Sequence, residues 1–372
     1  MKSHIIIGAG ILGASAAYHL AKAGANVTVI DRKDPGQATD AAAGIICPWL
    51  TQRRNKAWYA LAKGGAAYYQ TLIRELEKDG ETKTGYQKVG AVSLHTDPVK
   101  LEKMEERAAT RRGDAPEVGE ITPLSPDQTL ELFPPLSKEY ASVHVSGAAR
   151  VNGRELRDAL LRAAEKHGAV LVHDSAELLC QGDRVTAVKA GGKQYEADSV
   201  IAAAGAWAGE LLKPLGIQLD VKPQKAQIVH LQLEEEETGK WPVVMPPNNQ
   251  YILAFEGGRI VVGATHEDNI GYDLRVTAGG LNEIFEKALA IAPGLSDGTF
   301  TEARVGFRPY TPGFLPIIGQ IPGIKGLYIS NGLGASGLTA GPFLGAQLAK
   351  LALGQEVDID LDLYDPAGAI EK

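Results

Sequence analysis

The sequence predicts a mixed α/β and α+β protein in which an antiparallel sheet is inserted into a helix-flanked parallel sheet. Three observations carry this. Residues 4–7 are an apolar run followed by Gly8-Ala9-Gly10-Ile11-Leu12-Gly13, a helix-length stretch, and a second apolar run, 27–30, that ends at Asp31. Residues 199–204 and 326–330 are further apolar runs, each leading into a glycine turn. Between these two runs, residues 221–318 break into strand-length segments separated by turn residues.

The first element reads as strand, glycine turn, helix, strand and acid. Gly8 permits the tight turn, Gly10 lets the backbone approach a pyrophosphate, and Gly13 lets the helix pack closely on the sheet. The unpaired N–H groups of the helix N-terminus then face the phosphates. Asp31 lies eighteen residues after Gly13, where a ribose hydroxyl needs an acceptor. The ordered set predicts dinucleotide binding in a Rossmann-like unit. The alternative is a glycine-rich turn of an unrelated α/β protein, with Asp31 an ordinary turn residue. A cleaved leader is not expected here, because the glycines are regularly placed and Tyr18, His19 and Lys22 interrupt the apolar run at helical spacing.

Residues 37–49 are rich in small side chains and lack periodicity, which suits close approach to a flat, bulky group. Residues 57–78 form an amphipathic helix, with Leu61, Tyr68, Leu72 and Leu76 on one face. A strand over 89–94, a helix over 98–110 and a helix capped by Ser125 with Pro126 at its first position follow. Then come a helix through Asn152 to His167, a strand at 168–172 and a small hairpin over 185–198. In the inserted sheet the segments 226–231, 251–255 and 259–264 are short strands. The glycine loop 331–337 and a helix over 338–353 return the chain to α/β character. This divides the chain into a discontinuous nucleotide domain (1–85, 141–218 and 320–372) and a substrate domain (86–140 and 219–319).

Composition narrows the function. The 372 residues are 44 % hydrophobic and 22 % charged, ordinary for a globular protein of two domains. A net charge of −7 and a pI near 5.7 argue against a broad nucleic-acid surface. Cys47 and Cys180 make neither a disulfide framework nor a metal site, and no histidine cluster has metal spacing, so no metal is expected. Two cysteines fit a reducing, cytoplasmic setting, and no run reaches the length of a membrane span. A homo-oligomer is compatible with all of this. Residues 234–237 are four glutamates, read as a solvated turn, and the pairs Arg53-Arg54 and Arg111-Arg112 as surface pairs. Arg53 or Arg54 follows the small-residue run and could meet an acidic substrate tail.

The N-terminal motif, Asp31, residues 41–46, the 203–207 turn, Gly306-Phe307-Arg308-Pro309 and the terminal glycine loop occur in one order. In that order the chain resembles the D-amino-acid oxidase superfamily from residue 4 to about 353, and most closely its glycine oxidase and sarcosine oxidase branch. The resemblance implies an FAD-binding Rossmann-like domain with an inserted antiparallel substrate domain. Gly8, Gly10, Ile11, Leu12 and Gly13 would then hold the pyrophosphate, and Asp31 with Arg32 the adenosine end. Thr39, Ala42, Ala43, Gly44 and Ile45 would line one side of the flavin, and Gly205 and Trp207 would contact FAD. Gly334, Ser336, Gly337, Leu338 and Thr339 would lie near the pyrimidine ring. Arg308 would bind the substrate carboxylate and Tyr251 would assist it.

Two features depart from glycine oxidases. His266 stands where they tend to carry an apolar residue, so it is a candidate for substrate preference or else an exposed loop residue. Ala335 and Ser336 stand where they carry a larger basic side chain, which argues against glycine itself as substrate. Sarcosine oxidases attach FAD through a C-terminal cysteine. This chain has none after Cys180, so FAD is expected to be non-covalent.

The implied reaction is oxidation of the C–N bond of a small amino acid or secondary amine, with oxygen or another electron carrier as partner. A D-amino-acid dehydrogenase shares nearly all these motifs. A nicotinamide dehydrogenase leaves the terminal glycine loop unexplained, and a flavin-binding sensor would lack turnover.

Overall fold

The computed structural model describes residues 2–235 and 237–371, so the glutamate run falls in part, at Glu236, outside the described residues. Ser3–Ile7 (β1), Ile11–Lys22 (α1) and Asn26–Ile30 (β2) form the expected βαβ unit, the two strands parallel from Ser3↔Asn26 to Ile7↔Ile30. Ser199–Ala202 pairs in parallel with the other edge of β1, and Leu327–Asn331 extends the sheet beyond it. Val170–Val172 lies outside β2, and Ile317–Gln320 closes the opposite edge as the one antiparallel strand of the six. The beginning, middle and end of the chain thus share one sheet.

Two helices cover the face of this sheet that matters most here. Gly337–Leu353 lies against α1, and glycine lets it come close: a Cβ at Gly345 would sit 2.6 Å from the Leu12 carbonyl oxygen. Ser15 Oγ donates to the Pro342 carbonyl at 2.6 Å across the same contact. Pro342 has no N–H, which leaves the carbonyl of Leu338 without its helical partner. The Tyr69 hydroxyl fills that place, donating at 2.5 Å. Tyr69 belongs to Lys56–Lys78, capped by Asn55 and burying Leu61, Leu72 and Leu76 on its inner face. Three helices are therefore locked together beneath two glycine loops.

The second sheet has eight strands, in the order Thr299–Tyr310, Lys222–Gln232, Arg259–Gly263, Tyr251–Ala254, Val243–Met245, Ala91–His95, Ala141–Val145 and Ile121–Leu124. Several expectations are corrected in it. Its two outermost strands on the substrate side are long, eleven and twelve residues, and not short. They pair from Lys222↔Tyr310 to Gln232↔Thr299, a register no local pattern announces. Ala141–Val145 pairs with Ala91–His95, so the division expected at 140/141 leaves one strand of this sheet on the wrong side. Ile317–Gln320 belongs to the six-stranded sheet, one strand earlier than the division at 319/320 placed it.

Helix Ala278–Ile291 was not anticipated. Its opening Gly279-Gly280 lowers helix propensity, but the Thr277 cap and inward-facing Ile284, Ala288 and Ile291 secure it. The hairpin over 185–198 is part of a three-stranded meander that begins with Glu177–Gln181. Arg111 is not a plain surface residue: its guanidinium donates to the carbonyls of Trp49 and Thr51, at 2.6 and 2.8 Å, and ties down the turn after the small-residue run.

Candidate active site

A long cleft opens where β1, Ser199–Ala202 and Leu327–Asn331 end, and strand Thr299–Tyr310 closes its far wall. The turn after β1 is built as its glycines require. Gly8 has φ +105°, and a Cβ there would lie 2.3 Å from the Ala203 carbonyl oxygen. A Cβ at Gly13 would lie 1.9 Å from the Gly8 carbonyl oxygen, so Gly13 sits beneath the turn and outside the cleft. Gly10 differs from both. A Cβ there would touch only Thr39 Oγ1, at 3.5 Å, so its face is left open toward the cleft. Gly205 and Gly337 have no atom within 4 Å of such a Cβ.

The N-termini of α1 and of Gly337–Leu353 both border this space. Each contributes unpaired N–H groups and the positive end of a helix dipole. Thr39 takes one of these donors for the protein: its Oγ1 accepts from Ile11 N at 3.0 Å. Asp31 lies at the other end. It accepts from the backbone N–H groups of Ala9 and Lys33, each at 2.6 Å, and from Gln37 Nε2 at 3.0 Å, which fixes its carboxylate at the cleft wall. Arg32 pairs with Asp34 and, at 3.3 Å, with Glu210.

Among the predicted residues, Gly8, Gly10, Ile11, Leu12, Asp31, Arg32, Thr39, Ala42, Ala43, Gly44 and Ile45 line the cleft. So do Gly205, Trp207, Gly334, Gly337, Leu338, Tyr251 and Arg308. Four do not. Besides Gly13, Ser336 is turned inward, donating to the Leu333 carbonyl at 2.7 Å and accepting from Trp58 Nε1 at 3.1 Å. Thr339 donates to the Ile45 carbonyl at 2.9 Å and so stitches the terminal helix to the small-residue run. His266 is exposed and outside the cleft; partial burial and the positive charge of Arg308 hold it below the usual histidine range. It is placed as a loop residue beside the site.

At the end of the cleft formed by strand Thr299–Tyr310, Arg308 is half-buried, and its Nη1 donates to Gln224 Oε1 at 3.2 Å. Gln224 Nε2 in turn donates to Asp268 Oδ1 at 2.8 Å, so the amide is oriented with its oxygen toward the guanidinium. Among the described residues, no carboxylate reaches salt-bridge distance of Arg308. Tyr251 faces Gly263 across the strand pair, and burial pushes its phenol up while the adjacent Arg308 guanidinium opposes that shift. The phenol is therefore a neutral donor.

Sequence reasoning missed Gln224, Gln37 and Asn331, whose Nδ2 donates to the Gly205 carbonyl at 2.8 Å and joins two glycine loops. Gln224 becomes recognisable only through its pairing with Arg308, eighty-four residues away.

A cleft with two helix N-termini on it, three glycine faces left open, and an arginine without a carboxylate at one end has the features of a dinucleotide-binding site. The residues fit a flavin dinucleotide: small side chains along the wall and N–H donors at two helix ends.

The chain belongs to the FAD dependent oxidoreductase (DAO) family, whose model matches residues 3–351. It is 65 % identical over 371 residues, all of both chains, to an uncharacterized oxidoreductase, YurR, of Bacillus subtilis strain 168. It is 31 % identical to a glycine oxidase of Pseudomonas aeruginosa, covering 98 % of this chain and 99 % of that one. Among solved structures it resembles iminodiacetate oxidase from Chelativorans sp. BNC1, with 48 % identity, a TM-score of 0.95 and 98 % of each chain covered. The protein is thus an FAD-dependent oxidoreductase. Among the described residues, no helix is long and apolar enough to cross a membrane, and no group of acids, histidines or cysteines is arranged to hold a metal ion.

Proposed function

We propose that the protein oxidises the C–N bond of an N-substituted glycine, a secondary amine that carries a carboxylate, with oxygen as the electron acceptor. The observation that carries this is Arg308: a half-buried guanidinium, oriented by Gln224, facing the cleft and lacking a carboxylate of its own. A guanidinium suits a carboxylate because it offers parallel N–H donors and keeps its charge. The glycine oxidase and iminodiacetate oxidase relatives support an amine bearing a carboxylate.

FAD would lie with its pyrophosphate at Gly10 and the N-terminus of α1, its adenosine end at Asp31, and its ring between residues 42–45 and the Gly334–Gly337 loop. When bound, FAD supplies a two-electron acceptor for a hydride from the substrate α-carbon. Neither cysteine lines the cleft, and burial pushes the Cys47 thiol up to about 12, so we infer a cofactor held without a cysteine linkage.

Arg308 binds the substrate carboxylate, and Tyr251 donates a second hydrogen bond to it. Together they fix the α-carbon over the cleft, which is catalysis by orientation and needs no side-chain base. The amine reacts in its neutral form; it loses its N–H proton to water as the α-carbon loses hydride. The imine then takes up water to give a 2-oxo acid and an amine. The site is tested by anaerobic mixing of the purified protein with glycine, N-alkylglycines, carboxymethylated amino acids and D-amino acids. Loss of flavin absorbance with the N-substituted glycines, strongly slowed in Arg308→Ala, is expected. Reduction by D-amino acids alone would overturn the reading, and slow reoxidation in air would overturn oxygen as acceptor.

A further inference from the structure

Beyond Arg32 and Arg308, which line the cleft, a further arginine, Arg53, lies on residues that adjoin it. Its side chain lies on the ring of Trp58, 4.5 Å from guanidinium carbon to ring centroid, and its Nη2 donates to the Phe314 carbonyl at 2.5 Å. Trp58 is itself held by Ser336 Oγ, and Ser336 immediately precedes the helix whose N-terminus borders the cleft. Phe314 packs edge-on against Tyr310, ring centroids 4.8 Å apart. Tyr310 in turn closes on Gly334 of the cleft wall, where a Cβ would lie 2.4 Å from Tyr310 Cε1. Tyr310 stands two residues beyond Arg308 on one strand, so both side chains point to the same face. Arg53 therefore sits on an aromatic shelf that adjoins the cleft wall at Gly334, beside the strand that carries Arg308, although it does not itself line the cleft.

Its electrostatics are unusual for a structural arginine. It is half-buried, its ionisation is pulled down by that burial, and among the described residues no carboxylate lies within salt-bridge distance. One of its five N–H donors is used by the protein. A partly desolvated cation without an anion is costly unless a ligand supplies one.

We propose that Arg53 forms a second carboxylate subsite and that the substrate is a secondary amine with two carboxylate arms, one held by Arg308 and the other by Arg53. This rests on the reading of Arg308 as the anchor of the reacting glycine arm. An N-(carboxyalkyl)glycine is the class defined: a glycine arm that is oxidised, a nitrogen, and a second acid arm that gives binding and selectivity.

The test compares N-(carboxyalkyl)glycines with one to four methylenes in the second arm against their neutral amides, which have the same length and the same amine. One member of the series should be preferred over its amide by about thirty-fold or more in kcat/KM. Arg53→Gln should lower that preference by about tenfold or more, chiefly through KM, and Arg53→Lys should keep part of it. An equal loss on acid and amide would assign Arg53 to packing on Trp58 and overturn the proposal, as would a wild-type enzyme that does not distinguish them.

Binding separates this from the reaction. Oxydiacetate and methoxyacetate have no amine, and their dissociation constants follow from perturbation of the flavin spectrum or from calorimetry. Oxydiacetate should bind at least about tenfold more tightly than methoxyacetate, and Arg53→Gln should narrow the gap. If no amine reduces the flavin but this gap is present, the reaction assignment fails and the subsite stands. If amines reduce the flavin and the gap is absent, the subsite fails alone.

Discussion

The two ends of the cleft are built by different means. At the nucleotide end the walls are backbone and small side chains, set by a continuous stretch from residue 3 to residue 31. At the proposed substrate end the groups are side chains brought from three distant places: Gln224, Tyr251 and Arg308 on separate strands. The first end depends on what is absent, namely Cβ atoms at Gly8 and Gly13. The second depends on what is present and how it is aimed. A site of the first kind fails by steric collision and loses its cofactor; a site of the second kind keeps its cofactor and fails in substrate binding.

The largest effect should come from the backbone end. Gly13→Val places side-chain carbon against the Gly8 carbonyl, where even a Cβ comes to 1.9 Å. Burial leaves no room for relief, so a loss of about 3 kcal/mol or more is expected. The protein should purify without the 450 nm flavin band (a generic flavin absorbance) and melt at a lower temperature. A yellow, normally stable Gly13→Val protein would break the distinction between the two ends.

Arg308→Ala should do the converse. Truncating the partner of a bound carboxylate costs about 2–5 kcal/mol, so kcat/KM should fall by roughly 30- to 4000-fold while flavin content is retained. Flavin titration alongside steady-state kinetics checks both halves of that statement.

Gln224→Leu sharpens the comparison at lower amplitude. It removes the acceptor for Arg308 Nη1 and leaves Asp268 without its amide partner. A lost hydrogen bond to a charged group is worth about 1.5–3 kcal/mol, so kcat/KM should drop by about ten- to a hundredfold. Because Gln224 acts by positioning Arg308, the loss should fall on KM for carboxylate substrates. A loss confined to kcat would place Gln224 elsewhere in the mechanism.

The smallest effect is on stability, and here the two regions should behave alike. Burial lowers His19 in α1 and His230 in the eight-stranded sheet, each to about 4 from an ordinary 6.5. Between those values the unfolded chain binds more protons than the folded one, so stability falls as pH drops from 6.5 toward 4. Above 6.5 both histidines are neutral in both states and contribute no slope. Thermal melts at pH 7 and pH 5 should show this loss, and His19→Gln should reduce it. An unchanged pH dependence in both His19→Gln and His230→Gln would remove the histidines as its source.

The sequence by itself determined the nucleotide end. Gly8, Gly10, Gly13 and Asp31 were legible because a turn, a helix start and a strand end are local events, decided by residues within a few positions of one another. The return of residues 326–353 to the same sheet was legible for the same reason, whereas Arg308 was singled out only by the family resemblance of its Gly-Phe-Arg-Pro setting. Tertiary structure alone decided the rest. The Gln224–Arg308 pairing depends on the register of two long strands, and register follows from the whole sheet. Ser336 and Thr339 read as site residues in the glycine loop, yet the packing of Trp58 and the small-residue run against that loop turned them inward. Arg53 read as half of a surface pair or as one of two arginines that could meet an acidic substrate tail, and only folding set it, and not Arg54, on Trp58 beside Phe314. Where a side chain points after the chain has crossed between two sheets is fixed by contacts among residues hundreds of positions apart, and no local pattern encodes those contacts.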